Sequence, residues 1–437
     1  MNAMTAILLA GGDSKRFWPF KHKMITSFLG KPLLTWHYEQ FLRFGISSCV
    51  VVTQAETDDV IRAVTPPKKL SVTYVKQTSK GQGNGVLAAK NSIIEGSVLI
   101  VNASDVYDDT LIKEMKIHES KNPGTIILGV RSVNSYFPGG YIRYKKDRTV
   151  DKIIEKPKPG TEPSSIINVG AYIVPNIAIF YDALLKAHKN PQNQFENAVN
   201  ILLQKGTEGV PVSVDAPWFA LKYPWHVLAV SDAALWSIDQ TFIDPSVKIG
   251  KNVVIEGPVY IEKNVKINEG VKIVGPAYIG ADSIIGNNSM IRVSHIGERV
   301  VTGYSTEITR SYIGNDCWFH TNYIGDSVIG TNVSFGSGFV TANLRLDESV
   351  IFSLLVDEKI STERTKLGLI VGDDVRLGVQ GSSMPGVKIG ANSIIGAGVI
   401  LSEDLPEESY CRRQETVIIT KNTRSVKNER TSLKKKL

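Results

Sequence analysis

Ile249-Gly250-Lys251-Asn252-Val253-Val254-Ile255-Glu256-Gly257-Pro258-Val259-Tyr260-Ile261 places an isoleucine at every sixth residue, and the register runs on through Ile267, Ile273, Ile279, Ile285 and Ile291. A period of six fits neither an α-helix nor an extended strand, whose side chains repeat at 3.6 and 2 residues. Each hexad reads instead as one side of a triangular coil, with the isoleucine inside and a turn, often begun by Gly or Glu, outside. Stacked coils then bury a continuous column of branched side chains. The pattern returns at Ile313-Gly314, Ile324-Gly325, Ile329-Gly330, Phe335-Gly336, Leu377-Gly378, Ile389-Gly390 and Ile395-Gly396. The expectation for residues 241–411 is a left-handed parallel β-helix of hexapeptide repeats, a known exception to the right-handed crossover rule. Asn343 to Leu369 breaks the period and is expected to loop out, over a ligand or a neighbouring subunit.

Upstream, apolar runs at Thr5–Ala10, Cys49–Thr53, Val72–Val75, Val98–Val101, Thr125–Val130 and Ile166–Val174 alternate with helical patterns at Lys31–Phe44, Gly83–Ile94 and Ile177–His188. Such alternation predicts a Rossmann-like α/β domain with a largely parallel sheet over residues 1–224, its ligands at the carboxyl ends of the strands. Trp225 to Ile238 reads as a helix joining the two domains, within a linker at 225–240.

With 437 residues, 42% of them apolar and 21% charged, the chain has material for two or three cores, which excludes a disordered or collagenous protein. Cys49, Cys317 and Cys411 are odd in number and lack metal-ligand spacing, so a disulfide framework and structural zinc are not expected. No apolar run is long enough to span a bilayer, and the expected compartment is the cytoplasm. Most of the +7 net charge sits in the tail at 412–437, from Thr420 onward, where Lys421, Arg424, Lys427, Arg430, Lys434, Lys435 and Lys436 face one acid, Glu429. With no aromatic interleaved, the tail reads as a solvated terminus, not a nucleic-acid or membrane site.

The first strand leads directly into Leu8-Leu9-Ala10-Gly11-Gly12-Asp13-Ser14-Lys15-Arg16-Phe17-Trp18-Pro19. Small residues there would leave backbone amides free to cradle phosphate. The turn lacks the Gly-Lys-Ser/Thr ending of a Walker loop and the spacing of a dinucleotide fingerprint. Lys23, then Gly30-Lys31-Pro32 and an amphipathic helix, complete a pattern that resembles sugar-1-phosphate nucleotidylyltransferases of the bifunctional, archaeal type, which also N-acetylate amino-sugar phosphates. The resemblance runs from about Thr5 to Glu408.

That resemblance implies that Ala10, Gly11, Gly12 and Arg16 bind a nucleoside triphosphate, UTP or dTTP, and that Lys23 helps neutralise it. Gln77, Gly81 and Gly83 fall in the stretch similar to the base-recognition segment, with Gln82 in place of the usual threonine. Asp105 matches the aspartate that ligates Mg²⁺, and Gly139-Gly140-Tyr141, Glu155-Lys156-Pro157 and Asn168-Val169-Gly170 match the places that hold the sugar 1-phosphate. Gly140, Glu155 and Asn168 are the implied sugar contacts. In the β-helix, Phe319-His320-Thr321-Asn322-Tyr323 is similar to the acetyltransferase segment, with His320 as general base toward the amine that attacks acetyl-CoA, and Tyr323 and Asn343 as sugar-binding or orienting groups. A homotrimer is implied, since related acyltransferases form sites between adjacent prisms.

The chain also departs from the pattern. Ser14 replaces a turn glycine, and Ala220 stands where many members carry a second metal-binding acid, with Asp215 as a candidate substitute. Lysines expected after Asn343-Leu344-Arg345 are absent and Thr309 replaces another, leaving Arg310, Arg345 and Lys366 as substitutes. These departures keep two alternatives open: nucleotidyl transfer alone, with the β-helix as an oligomerisation scaffold, or an inactive sugar-nucleotide sensor. His295 and His320 lack the close third histidine of the β-helix carbonic anhydrases, and Cys317 reads as a small residue in a hexad turn with no base at recognisable spacing.

Overall fold

The computed structural model describes residues 4–12, 14–187, 193–355, 358–414 and 421. Asp13, His188 and the basic tail, apart from Arg412–Gln414 and Lys421, lie outside the described residues. Among the described residues, no helix is long and apolar enough to cross a membrane.

A nine-stranded sheet organises the N-terminal half. Its four strands Ser71–Lys76, Ser48–Thr53, Thr5–Leu9 and Val98–Asn102 run parallel, in that order. Successive side chains of a strand point to opposite faces. Ile7, Val50, Val52 and Ile100 accordingly enter one apolar cluster, while Ala6, Leu8, Cys49, Val51, Leu99 and Val101 enter the other. Helices cover both faces.

The rest of the sheet corrects the expectation of a largely parallel one. Ile166–Val174 pairs antiparallel with Val98–Asn102, with Ile126–Ser132 and with Gly140–Tyr144. The cause is local: parallel neighbours need a crossover of a dozen or more residues, usually a helix. Between Ser132 and Ile166 the chain instead forms the antiparallel pair Gly140–Tyr144 and Val150–Glu155, which returns it in the opposite direction.

From Phe242 the chain winds into three stacked parallel sheets, the architecture of the left-handed hexapeptide β-helix. Ile249 pairs with Ile267 and Ile267 with Ile285, one coil apart. Ile261, Ile273, Ile285, Ile291 and Ile308 fill a single core. Ile249 is half exposed, because it stands in the first coil with no coil beneath it. Cys317 is fully buried in this core and not in a turn, its thiol donating to the Gly330 carbonyl at 3.1 Å.

Along one sheet the rings of Phe242, Tyr260, Tyr278, His295 and Tyr312 stack coil upon coil, with centroids 4.7 to 6.0 Å apart. Burial between its neighbours pushes His295 down to about 4, so the ring is neutral near pH 7. The column ends at the N-terminal domain: Tyr312 meets Phe28 at 5.8 Å and its hydroxyl donates to the Ser27 carbonyl at 2.9 Å.

The joining helix, His226–Trp236, is buried between the halves. Val227, Leu228 and Val230 share one apolar cluster with Phe17, Phe28 and Leu33 on one side and Tyr312, Val328 and Ile370 on the other. The segment that breaks the hexad period forms a hairpin, Phe352–Leu355 against Glu358–Ser361, and sends Ile351 and Leu355 into that same cluster. It therefore packs on the junction between the halves.

Lys388 fastens this hairpin. Its ammonium is wholly buried and donates to Asp404 Oδ2 at 2.5 Å, Ser353 Oγ at 2.6 Å and the Leu354 carbonyl at 3.0 Å, with the Trp18 ring 5.6 Å away. Burial pushes Lys388 down from the usual lysine range, opposed by Asp404. The exposed Lys21–Glu407 pair, at 3.4 Å across the same seam, is worth at most about 1 kcal/mol. Breaking a buried pair from one side costs about 3–5 kcal/mol. Lys388→Ala is expected to fall near the lower end, since Asp404 is partly exposed, and to lower the melting temperature in a thermal scan far more than Lys21→Ala; equal shifts would remove Lys388 as the fastening.

Candidate active sites

The central parallel strands end in a cleft of about 260 Å³ lined by Ala10, Gly11, Gly12, Lys23, Gln77 and Gly81, together with Gln82, Asn102 and Ser104. Thr5–Leu9 is flanked in parallel by Ser48–Thr53 and Val98–Asn102, so the loops after all three strands leave from one edge. Gly11 leaves room for Gln77: a Cβ there would come within 2.8 Å of Gln77 Cδ and push the carboxamide off the turn. Gly83 lies within the helix Gln82–Ala88 and faces Gln194, which a Cβ would approach to 2.6 Å; it does not line the cleft. Arg16 is exposed in the short turn of helix Lys15–Phe17, also outside the cleft lining.

Asp105 does not end the strand Val98–Asn102 but opens a short one of its own, Asp105–Tyr107, which pairs antiparallel with Trp218–Ala220. Ala220 is the register partner of Asp105. Among the described residues the buried carboxylate accepts long hydrogen bonds, from Asn102 Nδ2 (3.3 Å), Ser104 Oγ (3.3 Å) and Tyr107 Oη (3.4 Å). Burial raises its carboxyl to about 6, despite these donors and the charge of Lys23. Gln82, at the departure from the base-recognition pattern, donates to Asn102 Oδ1 at 2.8 Å and so orients the residue that orients Asp105.

The three implied sugar contacts converge. Gly140 and Glu155 are opposite each other in the hairpin, and Asn168 Nδ2 donates to the Gly140 carbonyl at 3.0 Å. A Cβ on Gly140 would come within 3.0 Å of Glu155 Oε2 and closer still to the Asn168 amide, so the crossing needs glycine. Beneath them Glu196, which no sequence motif marked, is raised to about 7 by burial and by the charge of Glu155.

In the β-helix, Tyr323 and Asn343 meet, with Asn343 Nδ2 donating to Tyr323 Oη at 3.3 Å and to Asp326 Oδ2 at 2.5 Å. Arg310 donates to both oxygens of the buried Asp326, at 2.8 and 2.7 Å. Asp326 had no role from the motif alone. Its signal is present nonetheless: Thr309 pairs with Gly325, so Arg310 and Asp326 are opposite charges one coil apart. Arg345 is committed to Asp347 and Ser349 in its own exposed loop, and Lys366 is exposed. Of the three candidate replacements for the missing lysines, Arg310 alone is built into the Tyr323–Asn343 group. His320 projects from the turn before Tyr323, its backbone N–H held by Asn322 Oδ1 at 2.7 Å and its carbonyl by the Thr306 hydroxyl.

Comparison with known proteins agrees with this division. A family model described as nucleotidyl transferase matches residues 5–219. Models described as bacterial transferase hexapeptide (six repeats) and hexapeptide repeat of succinyl-transferase match 258–293 and 368–403. The chain is similar to a "Bifunctional protein GlmU" of Methanococcus maripaludis, 33% identical over 427 residues that cover 96% of this chain and 99% of the relative. It is also similar to a "Bifunctional sugar-1-phosphate nucleotidylyltransferase/acetyltransferase" of Sulfurisphaera tokodaii, 30% identical over 412 residues, 92% of this chain and 98% of the relative. Matched from end to end in both halves, the chain belongs to the bifunctional GlmU and sugar-1-phosphate nucleotidylyltransferase/acetyltransferase family.

Proposed function

We propose that this protein couples a sugar 1-phosphate to UTP or dTTP with release of pyrophosphate, and that its β-helix N-acetylates an amino-sugar 1-phosphate with acetyl-CoA. The observation that carries the first reaction is the gathering of Ala10, Gly11, Gly12, Lys23, Gln77 and Asp105 at one edge of the central strands. Backbone amides of the glycine turn and the Lys23 ammonium bind the triphosphate, and the exposed Arg16 adds its charge to them. Gly140, Glu155 and Asn168 hold the sugar. An oxygen of the sugar phosphate attacks the α-phosphorus in line; the new P–O bond forms as the bond to the pyrophosphate oxygen breaks.

The site fits Mg²⁺. Mg²⁺ is usually held by one or two carboxylates, with phosphate oxygens and waters completing its shell. Asp105, buried and served among the described residues by long hydrogen bonds, is such a carboxylate. When bound, the ion supplies charge neutralisation at the phosphates.

For the second reaction, His320 accepts a proton from the sugar amine as the nitrogen attacks the thioester carbonyl; the C–S bond breaks and coenzyme A leaves, taking up that proton as the thiol. Tyr323 and Asn343, fixed by Asp326 and Arg310, orient the amino sugar. We place the enzyme in the cytoplasm and assemble it as a homotrimer. Exposed Trp318, Val340, Ile394, Ile400 and Tyr410 on the prism faces support an apolar contact between copies.

The test is direct. Wild-type protein with Mg²⁺, UTP or dTTP and a panel of hexose 1-phosphates is expected to release pyrophosphate for at least one pair, and with acetyl-CoA and an amino-sugar 1-phosphate to release free thiol. Folded protein that yields neither would overturn the reading.

A further inference from the structure

Ala220 faces Asp105 across the short ladder, so no second carboxylate stands there. The chain then turns sharply: Lys222 N donates to the Ala220 carbonyl at 2.8 Å, His226 Nδ1 lies 2.7 Å from that same carbonyl, and Leu221, buried, donates to the Ser104 carbonyl at 2.9 Å. Lys222 is thereby anchored by its backbone beside Ser104 and Asp105. Its half-buried side chain carries the ammonium near two rings, 6.0 Å from the centroid of Phe137 and 5.6 Å from that of Tyr223. Among the described residues no carboxylate lies within ion-pair distance of it.

Three other cations, Arg16, Lys156 and Lys23, act on Lys222 electrostatically, against one carboxylate, Glu155. Glu155 is engaged by Lys156 at 3.3 Å. Glu155 and Asp105, which acts with Lys23, offset part of this charge; cations gathered in a partly desolvated space still repel one another, and an entering anion relieves that repulsion. The nucleotide end of this space already has the glycine turn and Lys23. The opposite end, where Phe137 leads into Gly139 and Gly140, holds the implied sugar contacts, and the Lys222 ammonium lies 6.0 Å from the Phe137 ring.

Resting on the nucleotidyl-transfer reading, we propose that Lys222 binds the phosphate of the sugar 1-phosphate and positions its attacking oxygen, a cation standing on the side of the site that Asp105 leaves without a second acid. Burial, and then the charges of Arg16, Lys156 and Lys23, push the ammonium down to about 8, as expected of a cation whose counter-ion is a ligand.

Equilibrium titration of wild type, Lys222→Gln and Lys222→Arg, each checked for an unchanged melting curve, tests this. The probes are glucose, glucosamine, N-acetylglucosamine and N-acetylgalactosamine 1-phosphates, with UTP and dTTP run separately, all in Mg²⁺. Lys222→Gln is expected to weaken the best sugar 1-phosphate about tenfold or more and raise its KM likewise, with nucleotide affinity within twofold of wild type; Lys222→Arg recovers most of the loss. Sugar-phosphate affinity and KM unchanged in Lys222→Gln, or an equal loss for the nucleotide, would overturn the assignment while pyrophosphate release still upholds the activity. Wild type that binds none of the sugar phosphates and releases no pyrophosphate would overturn the activity and the assignment together.

Discussion

Asp105→Asn should reduce pyrophosphate release about 10³-fold while leaving thiol release from acetyl-CoA within twofold of wild type. The size follows from the chemistry: charge neutralisation at a transferring phosphoryl group is worth several kcal/mol, and each ~1.4 kcal/mol is a factor of ten. The substitution preserves shape, and the donors around the carboxylate, Asn102, Ser104 and Tyr107, bond it at 3.3 to 3.4 Å, too weakly for the fold to depend on them. What asparagine removes is the negative charge, and Ala220 across the ladder supplies none in its place. A continuous pyrophosphate assay at several Mg²⁺ concentrations, beside a melting curve, is the measurement. Release unchanged at every Mg²⁺ concentration would strip Asp105 of its role.

The second large effect is expected at the other end of the molecule. His320→Gln should lower acetyl transfer by about 10²- to 10⁴-fold, the usual contribution of a positioned general base. Pyrophosphate release should stay within twofold, because His320 lies in a turn of the prism, well outside the nucleotide cleft. Glutamine keeps an amide in reach of solvent and leaves the backbone bonds to Asn322 and Thr306 untouched. Thiol release is measured at saturating amino-sugar 1-phosphate, so that weakened binding is not mistaken for lost chemistry. Full thiol release by His320→Gln would return the prism to the role of a scaffold.

These two sites were not equally legible in the sequence. The prism was plain, because each coil must bury one branched residue per side and the isoleucines recur accordingly. Asp105, Lys23 and the glycine turn could be placed at one edge because parallel strands deliver their carboxyl ends together. The reversal of Ile166–Val174 was hidden, since direction depends on whether a helix intervenes and not on the strand's own residues. Asp326 and Lys222 were hidden for a different reason. Each takes its meaning from a partner brought by the fold: Arg310 one coil earlier, and a group of cations contributed by Arg16, Lys23 and Lys156. The hairpin after Asn343 carried no hexad to read, and its apolar side chains found their place only against the joining helix.

The column of rings running from Phe242 to Tyr312 acts as a ruler. Because Tyr312 is the rung on which Phe28 and Ser27 rest, the nucleotide half is seated at a counted height above the first coil. Each repeat of a solenoid contacts only its neighbours, so a coil added or removed elsewhere leaves the rest in place. Here a coil inserted or deleted between the joining helix and Tyr312 would lift the seat by one rung and leave the halves out of step.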